Sequence, residues 1–589
     1  MYILGYSGLH YIRDYRAAAL SLHDPVEKRI VQGMDSAACL LYNGEIIAAN
    51  EEERFSNQKH TEQFPINAIQ SCLKTAGIDI QDVDHICHGF HFDKFKKFYV
   101  GDDYNKSLFQ DILCSNAQRA CISKHFPQLS NQFRFEPVEH HLAHAASTFY
   151  PSGFEEALVF VADAMGEIYS ISVYHGNGRH LSLLAQYDLL SSIGMMYSLT
   201  TLHLGFKPND GEYKVMGLAS KGNRHVFKDK FEALIQLETE GEILIPDLLS
   251  ASHHEDNYTF RAFRQKLIDY FGPPRHPHEP ITSVHQDVAA ALQCRTEQAL
   301  LHVILFWQEQ TKLRHLCMAG GVALNCVANA AISASKCFEK MYIQPAASDS
   351  GSALGAAWTT YFRHTQQPHR PKRTLPLYGY TNTEHDIQQA LRSHENVLDY
   401  EVLSEKVLCQ KVAELLKHSN IVAWVQGAME FGPRALGHRS ILANPCDPRM
   451  QERVNAVIKK RESFRPFAPS VKAERAKDYF KLNSVADYDT MLFTCQVKEK
   501  YKTTFPAITH VDQSARIQLV HQETHPLYWR LLDAVEHAID VGMVLNTSFN
   551  VSEQAIVCTA QQALDTFLTT DLDALILHHV LITKRTESC

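Results

Sequence analysis

The 14 cysteines of this 589-residue chain include no CxxC pair, which excludes zinc-ribbon and thioredoxin-type sites. Scattered thiols of this kind read as reduced, and the expected compartment is cytoplasmic. No run approaches the roughly 18 apolar residues that a membrane span needs. The opening MYILGYSGLHYIRDYR also lacks the apolar core of a secretion signal. Positive charge is not in excess: 57 Lys and Arg stand against 66 Asp and Glu, a net charge of −9. No global field favours nucleic acid or a membrane surface, so neither is an expected partner. Any anion site has to be a local cluster of Arg and Lys.

The length implies about two to four domains. Short apolar runs feed turns that open helices, the pattern of an α/β protein. Residues 2–7 read as a strand and 36–53 as a hairpin around Asn43-Gly44. A buried strand is expected over 156–167, ending in Asp163, and a second hairpin over 171–187 with its turn at 176–178. Strand, turn and helix follow at 316–332 and again at 341–358. The polar, proline-bearing stretch inside 362–385 reads as a linker. The expected division is 1–365, a linker at 366–385, and 386–589.

EHHLAHAAS (139–147) puts His140 and His144 four residues apart, on one face of a helix. That spacing suits two ligands of one cation, with His141 pointing away. Asp163 and Asp349 stand at strand ends where α/β sheets place ligand-handling groups. Two imidazoles and two carboxylates suit Fe(II), Mn(II) or Zn(II) better than Ca or Mg. Taken alone, such a pair is more often surface or capped histidines, with Asp349 as a helix cap. In MAGGVALN (318–325) the Gly320-Gly321 turn is not a Walker or GxGxxG motif; it either approaches a phosphate or allows tight packing. Arg434, Arg439, Lys459, Lys460, Arg461 and Arg465 bunch in a segment stiffened by prolines. Guanidinium forks there suit phosphate or carboxylate, and a solvated basic face is the other reading. Arg516 and the short donors Asn546, Thr547, Ser548 and Asn550 belong with that segment, suited to ribose or phosphate.

Nine motifs in order then resemble the O-carbamoyltransferase family over nearly the whole chain. They are DSAACLLYNGEIIAANEEERFSNQKH, HHLAHAAS, DAMGE, GEYKVMGLASKG, MAGGVALN, SDSGSALGAA, FGPRALGHRS, FRPFAPS and NTSFN. The resemblance implies a duplicated ribonuclease-H-like, actin-like domain followed by a YrdC-like α/β domain. It implies iron ligands at His140, His144, Asp163 and Asp349. It implies ATP and carbamoyl-phosphate contacts at Arg434, Lys459, Arg465, Arg516 and Ser548, with Asn546 and Asn550 beside them and Mg possible with ATP. Carbamoyl-adenylate would meet Gly320, Gly321 and Asn325 in the first domain. Lys59 matches an active-site lysine there, and Asp35 is a further candidate. Family members carry a histidine where this chain has Met34, so His23 is a candidate replacement base. The implied reaction carbamoylates a hydroxyl of a small natural-product acceptor, in a monomer or homodimer. Two other readings are an actin-like kinase or hydrolase with a regulatory second domain, and a non-enzymatic adenylate-binding protein.

Overall fold

The computed structural model describes residues 1–129, 133–249, 257–366, 373–456 and 467–585. The chain forms two compact units. One comprises Met1–Glu52 with His60–Arg373, the other Glu53–Lys59 with Thr374–Cys589. The short segment Glu53–Lys59 therefore leaves the first unit's sequence and builds into the second. Among the described residues no helix is long and apolar enough to cross a membrane.

The first unit is built on two five-stranded sheets. The strands of the first are β1 (Tyr2–Tyr6), β2 (Ala37–Tyr42), β3 (Glu45–Glu51), β4 (His85–His88) and β5 (Phe135–Pro137). Their order is β3-β2-β1-β4-β5, with β1–β2 and β2–β3 antiparallel and β1–β4 and β4–β5 parallel. Asn43 and Gly44 close the β2–β3 hairpin with φ of 51° and 89°, the positive values a two-residue turn requires. The second sheet holds β6 (Glu156–Gly166), β7 (Tyr169–Asn177) and β8 (His180–Asp188). After the ribbon of β9 (Gln236–Leu237) and β10 (Ile243–Leu244), β11 (His315–Ala319) and β12 (Lys340–Ile343) complete it. Its order, β8-β7-β6-β11-β12, repeats the first sheet position by position and orientation by orientation. The α/β fold is thus a duplicated ribonuclease-H-like one.

Duplication places equivalent helices together. Helix His140–Phe149 follows the last strand of the first sheet, and helix Asp349–His364 follows the last strand of the second. Their backbones touch: a Cβ on Gly355 would lie 1.6 Å from Ala143 O, so only glycine permits this crossing.

Three local expectations shift. β6 does not end at Asp163 but runs to Gly166, and its register with β7 slips between Ala162 and Gly166. Such a bulge re-aims a side chain without ending the strand. The second hairpin turns at Gly178-Arg179, since Asn177 pairs with His180. Asp349 is the first residue of its helix, with Ser348 at the cap position.

The second unit carries a mixed eight-stranded sheet. It contains β14 (Leu398–Val402), β15 (Val422–Val425), β17 (Arg439–Ala443), β18 (Ala468–Lys472), β22 (Gln518–Val520), β23 (Met543–Ser548), β24 (Ala574–Leu577) and β25 (Val580–Lys584). The order is β14-β25-β24-β15-β17-β23-β18-β22. Two smaller sheets accompany it: β13 (Leu377–Thr381) with β16 (Ala428–Glu430), and β19 (Phe480–Lys481), β20 (Cys495–Val497) and β21 (Ser514–Ala515). Helices Glu405–Lys417 and Pro526–Ile539 bury Leu408, Val412, Leu531 and Val535 against Trp424, Leu442 and Ile576. Strand β13 and the start of helix Glu384–Arg392 fall inside the stretch expected to be linker, because LYGYT finds a partner strand in β16.

Candidate active site

The crossing helices bring four donor atoms to one point. His140 Nε2 and His144 Nε2 lie 3.0 Å apart. His140 Nε2 is 3.3 Å from both Asp163 Oδ2 and Asp349 Oδ1, and His144 Nε2 is 3.5 and 3.8 Å from the same oxygens. Ligands about 2.1 Å from one ion lie about 3.0 Å apart at right angles and about 3.4 Å apart in a tetrahedron. The observed spacings cover both values, so the residues fit a divalent metal. His140 Nδ1–H donates to Gly89 O at 2.9 Å, so in the neutral ring the Nε2 lone pair faces the cluster. Burial opposes charge on His140, yet Asp349 and Asp163 outweigh it and hold the imidazole well above its usual range. Burial likewise works against the Asp163 carboxylate, and His140 and His144 hold it well below its usual range. The imidazoles are fully buried, while Asp163 and Asp349 keep 12% and 17% of their side chains exposed. The open side is therefore the carboxylate side. Glu167 closes the other end: its carboxylate accepts from His140 N at 3.0 Å and His91 N at 2.8 Å, fixing the first turn of the helix. His141 stays outside, bonded to Ser172 Oγ at 2.7 Å.

A second constellation lies beyond the ends of β1 and β2. His60 Nδ1–H donates to Asp35 Oδ1 at 2.6 Å, and its Nε2 is 3.4 Å from Asp210 Oδ1. Asp35 and His60 both adopt left-handed backbone, with φ of 55° and 54°. Ser7 Oγ donates to Asp35 O, and Ser36 N donates to Thr61 O, which holds both turns. Strain of this kind gathers at functional sites. Met34 is buried and packed, its sulfur accepting from Asn209 Nδ2 at 3.5 Å. His23 is exposed. Lys59 is half-buried and ends the segment that belongs to the second unit.

The Gly320-Gly321 turn abuts the metal-type cluster. Gly320 has φ of 89°, and a Cβ there would lie 2.2 Å from Ala162 O, the residue before Asp163. A Cβ on Gly321 would meet Asp163 Oδ1 at 3.3 Å. Asn325 is the N-cap of helix Cys326–Ala334, accepting from Ala328 N and exchanging hydrogen bonds with Gln293.

In the second unit Asn546 binds three elements at once. Its amide donates to Ala435 O, Ser470 Oγ and Gln518 Oε1. Arg434 adjoins Ala435, Arg516 lies two residues before Gln518, and Ser548 lies two residues after Asn546. Ser548 Oγ donates to Asn550 Oδ1 at 2.7 Å, and Asn550 donates to Gln554 O. Arg439, fully buried, donates to the carbonyls of Gln426, Gly427, Tyr380 and Cys558. Its donors are spent on backbone, so it acts as a scaffold for the loop. Lys459, Lys460, Arg461 and Arg465 lie outside the described residues.

Residues 31–358 match the family described as "Carbamoyltransferase N-terminus", and residues 413–584 match "Carbamoyltransferase C-terminus". The chain belongs to the carbamoyltransferase family. This carbamoyltransferase is 34% identical to the nodulation protein NolNO of Sinorhizobium fredii, over 94% of this chain and 79% of that one. It is 36% identical to the nodulation protein NolO of Bradyrhizobium diazoefficiens, over 77% and 80%. An uncharacterised Synechocystis protein is 37% identical over 94% of this chain and 95% of its own.

Two residues of the carbamoyltransferase escaped sequence reasoning. Glu167 ends the quoted motif DAMGE, but only the fold shows that it caps the helix bearing His140. His60 ends SNQKH beside Lys59, and its histidine identity was the available signal. Its partner Asp35 is 25 residues away, a separation at which no local pattern points.

Proposed function

We propose that this carbamoyltransferase makes carbamoyl-adenylate in its second unit and transfers the carbamoyl group to a small-molecule hydroxyl in its first. The observation that carries the reading is the convergence of His140, His144, Asp163 and Asp349 beside the Gly320 turn. In the second unit Arg434, Arg516 and Ser548, with Lys459 and Arg465, would gather the phosphates of ATP and carbamoyl phosphate. Water releases phosphate from carbamoyl phosphate; the carbamate oxygen then attacks the ATP α-phosphorus and pyrophosphate leaves. Preorganised cations offset the mutual repulsion of these anions, usually the largest catalytic term.

In the first unit a divalent metal on the four ligands, Fe(II) by family resemblance, would polarise the carbamoyl carbonyl as a Lewis acid. His60 would take the proton of the acceptor hydroxyl, with Asp35 holding its tautomer and stabilising the imidazolium, as in other His–Asp pairs. The acceptor oxygen bonds to the carbamoyl carbon and AMP leaves with the electron pair. This assigns to His60 the role that sequence alone offered to His23. The acceptor this reading implies is a small hydroxylated compound.

The test is direct. Purified protein given ATP and carbamoyl phosphate should release pyrophosphate and phosphate, and form AMP once an acceptor is present. Formation of ADP instead would favour a kinase-type reaction and end this reading. Hydroxyl compounds can be screened for the mass gain of one carbamoyl group. With an acceptor found, His60→Ala and Asp35→Asn should slow transfer about 10²-fold or more while leaving pyrophosphate release intact.

A further inference from the structure

Arg54 belongs by sequence to the first half of the chain, in the hairpin-following stretch EEERFSNQK, and by structure to the second unit. It is buried at 5% exposure. Its Nη2 donates to Gly432 O at 2.8 Å, across 378 residues of sequence, while Nη1 pairs with the neighbouring Glu53 at 2.7 Å. The segment is anchored around it. Gln562 Nε2 donates to Arg54 O at 3.3 Å, Ala555 N donates to Asn57 Oδ1 at 3.2 Å, and Phe55 meets Tyr380 edge-on beside Met429, Ile556 and Cys558. Burying a guanidinium is costly unless its donors are met. Glu53 meets the charge, and the second donor is given to a loop carbonyl, which points to a positional role.

The carbonyl it holds opens the Gly-Pro-Arg turn. Gly432 has φ of 123°, a value reserved for glycine, and Pro433 fixes its own φ. Fixing Gly432 O thus fixes the backbone of Arg434 two residues on. The far end of the loop is pinned separately. Glu430 Oε1 accepts from Leu436 N, His438 N and Arg439 N at 2.7, 2.9 and 3.2 Å. The near end has Phe431 N bonded to Pro376 O, and then Arg54.

We propose that Arg54 is a positioning residue for the loop Phe431–His438, setting Arg434 for the anionic substrates of the second unit. The inference rests on the adenylate-forming reading above. The experiment compares wild type, Arg54→Met and Arg54→Lys, all full-length, by pyrophosphate release with varied ATP and carbamoyl phosphate, and by hydrogen exchange of residues 431–438. Arg54→Met keeps the apolar stem and loses the donor. It should lower kcat/KM at least about tenfold, mainly through KM, since misplacement of about 1 Å can cost 10²-fold. Its loop amides should exchange faster, with first-unit metal content unchanged. Arg54→Lys can still donate to one carbonyl and should recover a good part of both signals. Wild-type KM and wild-type exchange in Arg54→Met would overturn the proposal, as would an Arg54→Lys no better than Arg54→Met. If wild type itself releases no pyrophosphate, the adenylate reading falls, and the exchange comparison still decides the role of Arg54. If Arg54→Met does not fold, Arg54→Lys against wild type decides: a loop exchanging at the wild-type rate with unaltered KM supports a donated bond, and global loss of both counts against it.

Discussion

His144→Ala tests the metal centre most sharply, because a control stands beside it on the same helix. A structural zinc site of four ligands binds its ion with about 10–16 kcal/mol, and on that scale one ligand represents about 2.5–4 kcal/mol. At about 1.4 kcal/mol per decade, losing His144 weakens binding by about 10²- to 10³-fold. The substitution also opens a cavity, since His144 is fully buried. His141→Ala separates the two effects. His141 is just as enclosed, at 2% exposure, and sits three residues earlier, yet it bonds Ser172 and takes no part in the cluster. Apo protein of each variant would be titrated anaerobically with Fe(II) and with Co(II) against a competing chelator, and melted by circular dichroism. Both variants should lose comparable thermal stability, and His144→Ala alone should lose its ion. Wild-type affinity in His144→Ala, or an equal loss in His141→Ala, would refute the ligand assignment.

Three further outcomes follow from particular contacts. His438 and His525 are buried with rings 4.8 Å apart, and burial lowers each to about 3 from an unfolded 6.5. Between those values the unfolded chain binds more protons, so stability is full above about pH 6.5 and falls as pH drops, by about 2 kcal/mol per imidazole at pH 5. Urea midpoints at pH 7, 6 and 5 should fall accordingly, less steeply in His525→Phe; equal midpoints would contradict the buried neutral pair. Gly320→Ala meets Ala162 O and a φ of 89°, and should cost at least about 2 kcal/mol with loss of metal. Gly272→Ala, with φ of 87° but open space, should cost only the backbone strain and keep the metal. Asn546→Ala removes the amide donor to Ala435 O and one bond each from Ser470 and Gln518, which stay paired with each other, and should cost about 1–3 kcal/mol and raise KM for ATP.

Local chemistry was legible in the sequence wherever the interaction is local. Asn43-Gly44 specifies its hairpin through backbone conformation, and His140 and His144 share a helix face because four residues make about one turn. Alternating strand, turn and helix gave the α/β class, since each apolar run demands a covered sheet. The ordered motifs carried the family. The second hairpin turns at Gly178-Arg179, sharing only Gly178 with the expected 176–178, because neighbouring glycines offer equal turn chemistry and only strand pairing sets register. LYGYT lies in the expected linker and is a strand for a similar reason: a strand exists only where an edge, here β16, receives its hydrogen bonds.

Long-range partnerships were decided by tertiary structure alone. The sequence supplied two histidines and two aspartates, but spacing could not distinguish ligands from caps. Only the crossing of two duplicated helices at Gly355, and the register slip in β6, bring those atoms to within 3.0–3.8 Å. Asp35 found His60 instead of His23, and Arg54 found Gly432, across separations where no periodicity operates. Sequence determines which groups are available and how each short stretch bends. Which of them meet depends on sheet order and packing, because contact energies act in space and chain proximity encodes only its shortest range.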